Sequence, residues 1–499
     1  MTEISRRELL ASAAVTGGGL AAASLWPAAA FGEHTSRLTP FDLHFSITHQ
    51  YRPFDLIGRR FVQYIARAGS TSRLVRTRVG PSAPFATVML DVARVPEDGR
   101  VAAGLVEEDR DGVVVTYDAA ARRVAVEVVR NGSSTVAAAV DAALGARFRF
   151  AFSVQENYVT ALADTGSGWQ PLVRARITDL LDLRPPATLA RLRYGYGTLG
   201  EGRTSFDGVR AGYFGEAGVR DPHVVTHADG KPFIRDGKVY LTLTQAGLGF
   251  FQAAHWGVWT LDLDDPTRLE QVANLFFRRN GVVLGDHAGH IVYDDARGEF
   301  ILAMSGWGDF EFQGVHVHYT RTRANVLSGV HVLPTTRMPL PTDVSSWDPA
   351  IARIRDRWHV AFVESPPQDP FLFHPAIAVS PRGGRLDQLT LAGRDLSVDQ
   401  TEGPILQKIG GTWYLLASDG DARKYRVYDL RANLLGHLNA PYGTNIPHPM
   451  VFPVSERGRT RYMMVTFDGT QYAEPVLGYG THGDFIVMSA PETRRGREF

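Results

Sequence analysis

Between residues 38 and 215 apolar and polar side chains alternate with a period of two. Phe148, Phe150 and Phe152 alternate with Arg147, Arg149 and Ser153, and Val124, Val126 and Val128 with Arg123, Ala125 and Glu127. Alternation of this kind sends successive side chains to opposite faces of a strand. The segments Gly112–Tyr117 and Arg123–Val129 flank a turn at Asp118–Arg122 and predict a hairpin. Helical periodicity is scarce, and many short strands at this spacing predict a β-sandwich over 38–215.

From about residue 219 the pattern repeats. RDGKVYLTLT (Arg235–Thr244), ARGEFILAMS (Ala296–Ser305), IRDRWHVAFV (Ile354–Val363), IGGTWYLLAS (Ile409–Ser418) and RGRTRYMMVT (Arg457–Thr466) each open with a turn rich in Gly, Asp or Arg. A bulky pair and an alternating strand follow. The second residue of each pair falls at Tyr240, Ile301, His359, Tyr414 and Tyr462, about 48 to 61 residues apart. A period of that length carrying only strand signals predicts blades, and five units predict a five-bladed β-propeller over 219–499. The predicted fold class is all-β: a sandwich followed by a propeller.

Composition narrows the function classes. The 499 residues carry 53 basic and 53 acidic side chains and no cysteine. A neutral chain offers no general basic surface for nucleic acid. Without cysteine there is no disulfide framework and no thiolate metal site. Residues 1–30 read as an export signal of the twin-arginine kind. Arg6 and Arg7 precede a weakly apolar run, Leu9 to Trp26, and Ala28–Ala30 supplies small residues for cleavage. Gly17–Gly19 weakens that run as a membrane span. A secreted, monomeric protein without a span in its mature form is expected.

The innermost strand of each predicted blade lies just before the repeated turn, so its first residues face the centre. Asp348 precedes Pro349 and Glu402 lies two before Pro404, at nearly the same place in neighbouring units. His448 precedes Pro449, and GDHAGH supplies Asp286, His287 and His290. The first unit offers Asp221 before Pro222, and Asp229 with Lys231 before Pro232. Two carboxyls across a glycosidic bond can run acid and base catalysis if one is kept protonated by its surroundings. His287 and His290, or His316 and His318, have spacings that a metal can use, although an isolated histidine is more often structural. Trp256, Trp307 and Trp347 are candidates for stacking on sugar rings or for packing between blades.

EGPILQKIGGTWYLLAS and WDPAIARIRDRWHVAF resemble the general-acid strand and the third-blade Asp-Pro strand of the five-bladed glycosidases of glycoside hydrolase family 43 and its relatives. The resemblance implies Glu402 as general acid and Asp348 as the carboxyl that orients it or raises its pKa. It also implies inverting hydrolysis of arabinosides or xylosides in a polysaccharide or oligosaccharide. No cofactor is required, and a structural calcium or a water is implied near His448. FDGVRAGYFG (Phe206–Gly215) resembles the last strand of concanavalin-like jelly rolls, which pairs back near the first. The base belongs in a first-blade Asp-Pro motif, but Asp221 sits 19 residues before Tyr240. Asp221, Asp286 and Asp229 therefore stand as candidates, in that order. His287, His290, Lys231, Trp347 and His448 are the expected substrate contacts. Two rival functions remain on the same residues. One is a uronate lyase using Lys231, His287, His290 and His448; the other is a carbohydrate-binding protein without catalysis.

Overall fold

The computed structural model describes residues 38–108, 111–249, 251–309, 314–366, 369–456, 459–469 and 483–491. The export signal read at 1–30 lies outside them. The described chain is all-β, and its one α-helix is the short Pro186–Arg191. None of its helices is long and apolar enough to cross a membrane.

Residues 62–213 form two six-stranded sheets. One runs Gln170–Arg176, Tyr158–Asp164, Phe148–Gln155, Phe85–Arg94, Thr204–Tyr213, Val62–Thr71. The other runs Leu74–Arg76, Arg193–Leu199, Arg100–Val106, Gly112–Asp118, Arg123–Arg130, Ser133–Asp141. The alternation read from the sequence builds the core they share: Phe150 and Phe152 from the first sheet meet Val113, Val115, Val124 and Val126 from the second. The hairpin at Asp118–Arg122 forms with Tyr117 opposite Val124. The strand within Phe206–Gly215 pairs with Val62–Thr71.

Among the described residues, five sheets of four or more strands, mostly antiparallel, follow beyond residue 215. Each has a pocket-side strand: β1 (Val219–Val224), β2 (His287–Asp294), β3 (Ser345–Ile354), β4 (Thr401–Ile409) and β5 (Met450–Glu456). These pack each against the next, and β5 also packs against β1. The repeat units supply the neighbouring strands Lys238–Gln245, Glu299–Ser305, Arg357–Ser365, Thr412–Asp419 and Arg459–Asp468. Their turn chemistry has a conformational cause. Arg355–Asp356 and Gly410–Gly411 each place two successive residues at positive φ. This is the demand of the tight hairpin turns whose twist matches the strands.

One boundary departs from the sequence reading. Ser46–Tyr51, assigned there to the first region, pairs with Asp484–Ser489 and completes the last sheet. The pairing covers backbone groups that Asp484–Ser489 would otherwise leave as an open edge. A contact over that sequence separation leaves no trace in local alternation. The two regions also share a core. Phe85 from the first stacks on Phe276 of the second at 5.2 Å, beside buried Tyr213, Phe214 and Leu248.

Candidate active site

Four of the pocket-side strands break their ladders at the same place. The register slips between Arg220 and His223 in β1, His287 and Gly289 in β2, Trp347 and Ala350 in β3, and Glu402 and Ile405 in β4. At each slip one residue takes positive φ: Asp221 (53°), Ala288 (50°), Asp348 (50°) and Gly403 (64°). These are bulges, which bend a strand and re-aim its side chains. Aspartate tolerates the left-handed region better than most residues, and proline suits a position with no ladder bond to donate. The Asp-Pro pairs therefore mark bulges. At Gly403 the positive φ and a close approach coincide, since a Cβ there would lie 2.3 Å from the His448 ring.

The bulges also correct the alignment of the acids. Asp348 matches Asp221 and Gly403, whereas Glu402 matches Arg220, His287 and Trp347, one residue earlier. All four residues at the earlier position line one pocket of about 180 Å³, together with Asp221, Asp348, Phe251, Trp307, Phe371 and Phe373. The spacing that obscured Asp221 arises from an excursion. Thr226–His227 and Ile234–Arg235 intervene before Lys238–Gln245, yet β1 still pairs with that strand.

Arg220 was not among the sequence candidates, and it organises the floor. Its Nε donates to Asp221 Oδ1 at 2.8 Å and its Nη2 to Glu402 Oε1 at 3.2 Å. Its guanidinium also lies over the Phe467 ring at 4.7 Å. The one signal available in sequence was its place immediately before Asp-Pro. His448 Nε2 lies 3.4 Å from Asp221 Oδ1, 3.4 Å from Asp348 Oδ2 and 4.0 Å from Glu402 Oε1. Trp347 Nε1 donates to Glu402 Oε2 at 3.3 Å, and the Gly403 N–H donates to Asp348 Oδ2 at 3.2 Å.

This environment splits the acids. Burial alone would raise Asp221, but Arg220 and then His448 outweigh it and hold its pKa well below the usual carboxylate range. Burial pushes Glu402 up to about 7, with Asp221 adding to the rise against the pull of Arg220. Asp348 is raised well above its usual value by burial, then by Glu402 and Asp221. At pH 6 the pocket thus holds Asp221 ionised and Glu402 protonated. Burial lowers His448 and His287 to about 4, so both rings are neutral there.

The remaining candidates sit elsewhere. Asp286 is fully buried outside the pocket, ion-paired to Arg279 and accepting the Gly308 N–H at 3.0 Å. Asp229 and Lys231 pair with each other at 2.7 Å on an exposed loop, because the excursion after β1 carries them out. His290 is stacked on His223 at 3.8 Å and does not line the pocket. The Ile351 N–H donates to its Nδ1, so its Nε2–H donates to Thr226 Oγ1 at 3.0 Å, and it is a structural residue. Trp256 is fully buried in the core with Phe277.

Below the floor lies a void of about 10 Å³ lined by Asp221, His223, Asp348, Gly403 and His448. Among the described residues the buried Nε2 atoms of His223 and His448 have no hydrogen-bond partner. A space of ~10–15 Å³ suits one water. Calcium needs about six to eight oxygen ligands. Among the described residues no cluster of three or more His, Asp or Glu is arranged to hold a metal.

Arg220→Leu should move the pH profile as well as the stability. Losing the cation releases the downward pull on both Asp221 and Glu402, so both limbs of the kcat/KM profile shift to higher pH. Removing one member of a buried ion pair costs about 3–5 kcal/mol, measurable by urea unfolding.

Neither protein-family models nor curated proteins gave a match to this chain. Structural neighbours include glycoside hydrolases. The GH43_1 enzyme from Xanthomonas citri complexed with xylose is similar at 16% identity and TM-score 0.38, covering 55% of this chain and 87% of that one. An inulosucrase from Halalkalicoccus jeotgali bound to kestose is similar at 12% identity and TM-score 0.40, covering 56% and 89%. The carbohydrate-binding module CBM66 from Bacillus subtilis is similar at 12% identity and TM-score 0.23, covering 35% and 99%.

Proposed function

We propose that the protein is an exported glycoside hydrolase, a β-sandwich joined to a five-bladed propeller, that cleaves arabinoside- or xyloside-like bonds with inversion. The observation that carries this reading is the split pair on one floor: Asp221 held ionised and Glu402 held protonated up to about pH 7. Glu402 donates its proton to the leaving oxygen, and Asp221 takes a proton from the attacking water. Both carboxylates lie within 4.0 Å of His448 Nε2, so their oxygens are no more than about 8 Å apart, close enough to flank one bond. Asp348 accepts the Gly403 N–H and so fixes the backbone beside Glu402. Arg220 is already paired with Asp221 and Glu402, which suits a neutral sugar better than a uronate. Trp347, Trp307, Phe251, Phe371 and Phe373 give the ring apolar walls.

The test is product analysis on arabino- and xylo-oligosaccharides. Release of reducing ends whose first-formed anomer is inverted by proton NMR supports the proposal. Retained configuration overturns inversion, and an unsaturated uronate released from uronate-containing glycans favours the lyase. Saturable glycan binding with no new reducing ends favours the binding protein.

A further inference from the structure

Hairpin turns are usually exposed, but the turn between Phe148–Gln155 and Tyr158–Asp164 is buried. Gln155 is fully buried, and Glu156 and Asn157 are each 3% exposed. Glu156 stands at φ 53°, with its own N–H donating to Pro84 O at 2.7 Å. A carboxyl placed there is expensive to bury. The side-chain oxygens of Glu156 and Gln155 reach the second region. Glu156 Oε1 accepts the Gly285 N–H at 3.1 Å and lies 3.0 Å from where a Cβ on Gly308 would stand. Gln155 Oε1 accepts the Leu248 N–H at 3.2 Å.

Each contact leads within a few residues to the aromatic wall of the pocket. Gly285 precedes Asp286 and His287; Asp286 holds the Gly308 N–H, next to Trp307. Leu248 leads into the turn Phe251–Ala253, and His287 Nε2–H donates to Phe251 O at 3.2 Å. The rings of Phe251 and Trp307 meet at 4.7 Å, and Trp307 meets Trp347 at 5.7 Å. Among the described residues, Phe251, Trp307 and Gly308 lie outside the strands.

We propose that the Gln155–Glu156 turn of the N-terminal sheets positions the Phe251–Trp307 wall of the pocket, with Glu156 as a positioning residue for substrate binding. The first module then completes the binding site, and its removal would disorder one wall. The inference rests on the proposed glycosidase reading, so one arm of its test does not use hydrolysis. In the full chain, Glu156→Ala should speed hydrogen exchange about tenfold at Gly285, the loss of about one hydrogen bond. It should raise KM for xylo- or arabino-oligosaccharides about tenfold with kcat within about twofold, the signature of lost uniform binding. Glu156→Gln keeps an acceptor oxygen and should restore both. Gln155→Ala, cutting the other tether, should repeat the exchange effect at Leu248. Unchanged exchange in these segments, or a lower Tm with unchanged KM, overturns the inference. If the wild-type chain cleaves no glycoside, the functional reading fails, and the exchange arm alone decides the positioning claim.

Discussion

Glu402→Gln should lower kcat/KM on unactivated oligosaccharides by about 10²–10⁴, the usual worth of a positioned general acid. The loss should depend on the leaving group. A sugar alcohol cannot depart without a proton, whereas 4-nitrophenolate can, so 4-nitrophenyl glycosides should suffer far less. Gln keeps the shape but has one acceptor oxygen, for either Trp347 Nε1 or Arg220 Nη2, so the fold should survive with one of those two hydrogen bonds lost. The pH profile should change in a defined way. Wild-type activity needs Glu402 protonated, so it falls as pH rises through about 7, and that limb should vanish in the variant. A uniform loss across leaving groups would remove Glu402 from the acid role.

Asp221→Asn should cost a comparable ~10²–10⁴ in kcat/KM, but for every leaving group alike, because it removes the group that takes the proton from water. It has a second consequence. The ionised Asp221 pushes Glu402 up, so neutralising it should carry the alkaline limb to lower pH. Arg220, left with fewer partners, lowers Glu402 further in the same direction. Asp286→Asn provides the contrast. That carboxylate is buried outside the pocket with Arg279, and its loss should show in stability before mechanism.

Much of this site was legible in sequence because strand patterns are local. Period-two alternation located the hairpin at Asp118–Arg122, and the repeated turns located the strands that follow β1–β4. The prolines flagged Asp221, Asp348, Glu402 and His448, which meet on one floor. Four things were hidden. Bulges shift register by one residue, so Glu402 and Asp348 looked equivalent when Glu402 belongs with Trp347 and Arg220. The excursion between Val224 and Lys238 made spacing a poor guide to Asp221 and drew Asp229 and Lys231 toward a site they do not reach. Ser46–Tyr51 joins a sheet whose other strands lie near the far end of the chain. Arg220 was missed because an arginine beside an aspartate reads as a surface residue until burial shows otherwise.

The central claim is that one pocket keeps Asp221 charged and Glu402 neutral, and the pH dependence of kcat/KM on an unactivated xylo- or arabino-oligosaccharide tests it most directly. Asp221 loses its charge only below the ordinary carboxylate range, and Glu402 loses its proton near 7. The account predicts a plateau through mildly acidic pH and a decline as pH rises through about 7, a decline absent from Glu402→Gln. A rate that climbs through pH 7, or a declining limb that persists unchanged in Glu402→Gln, would contradict it.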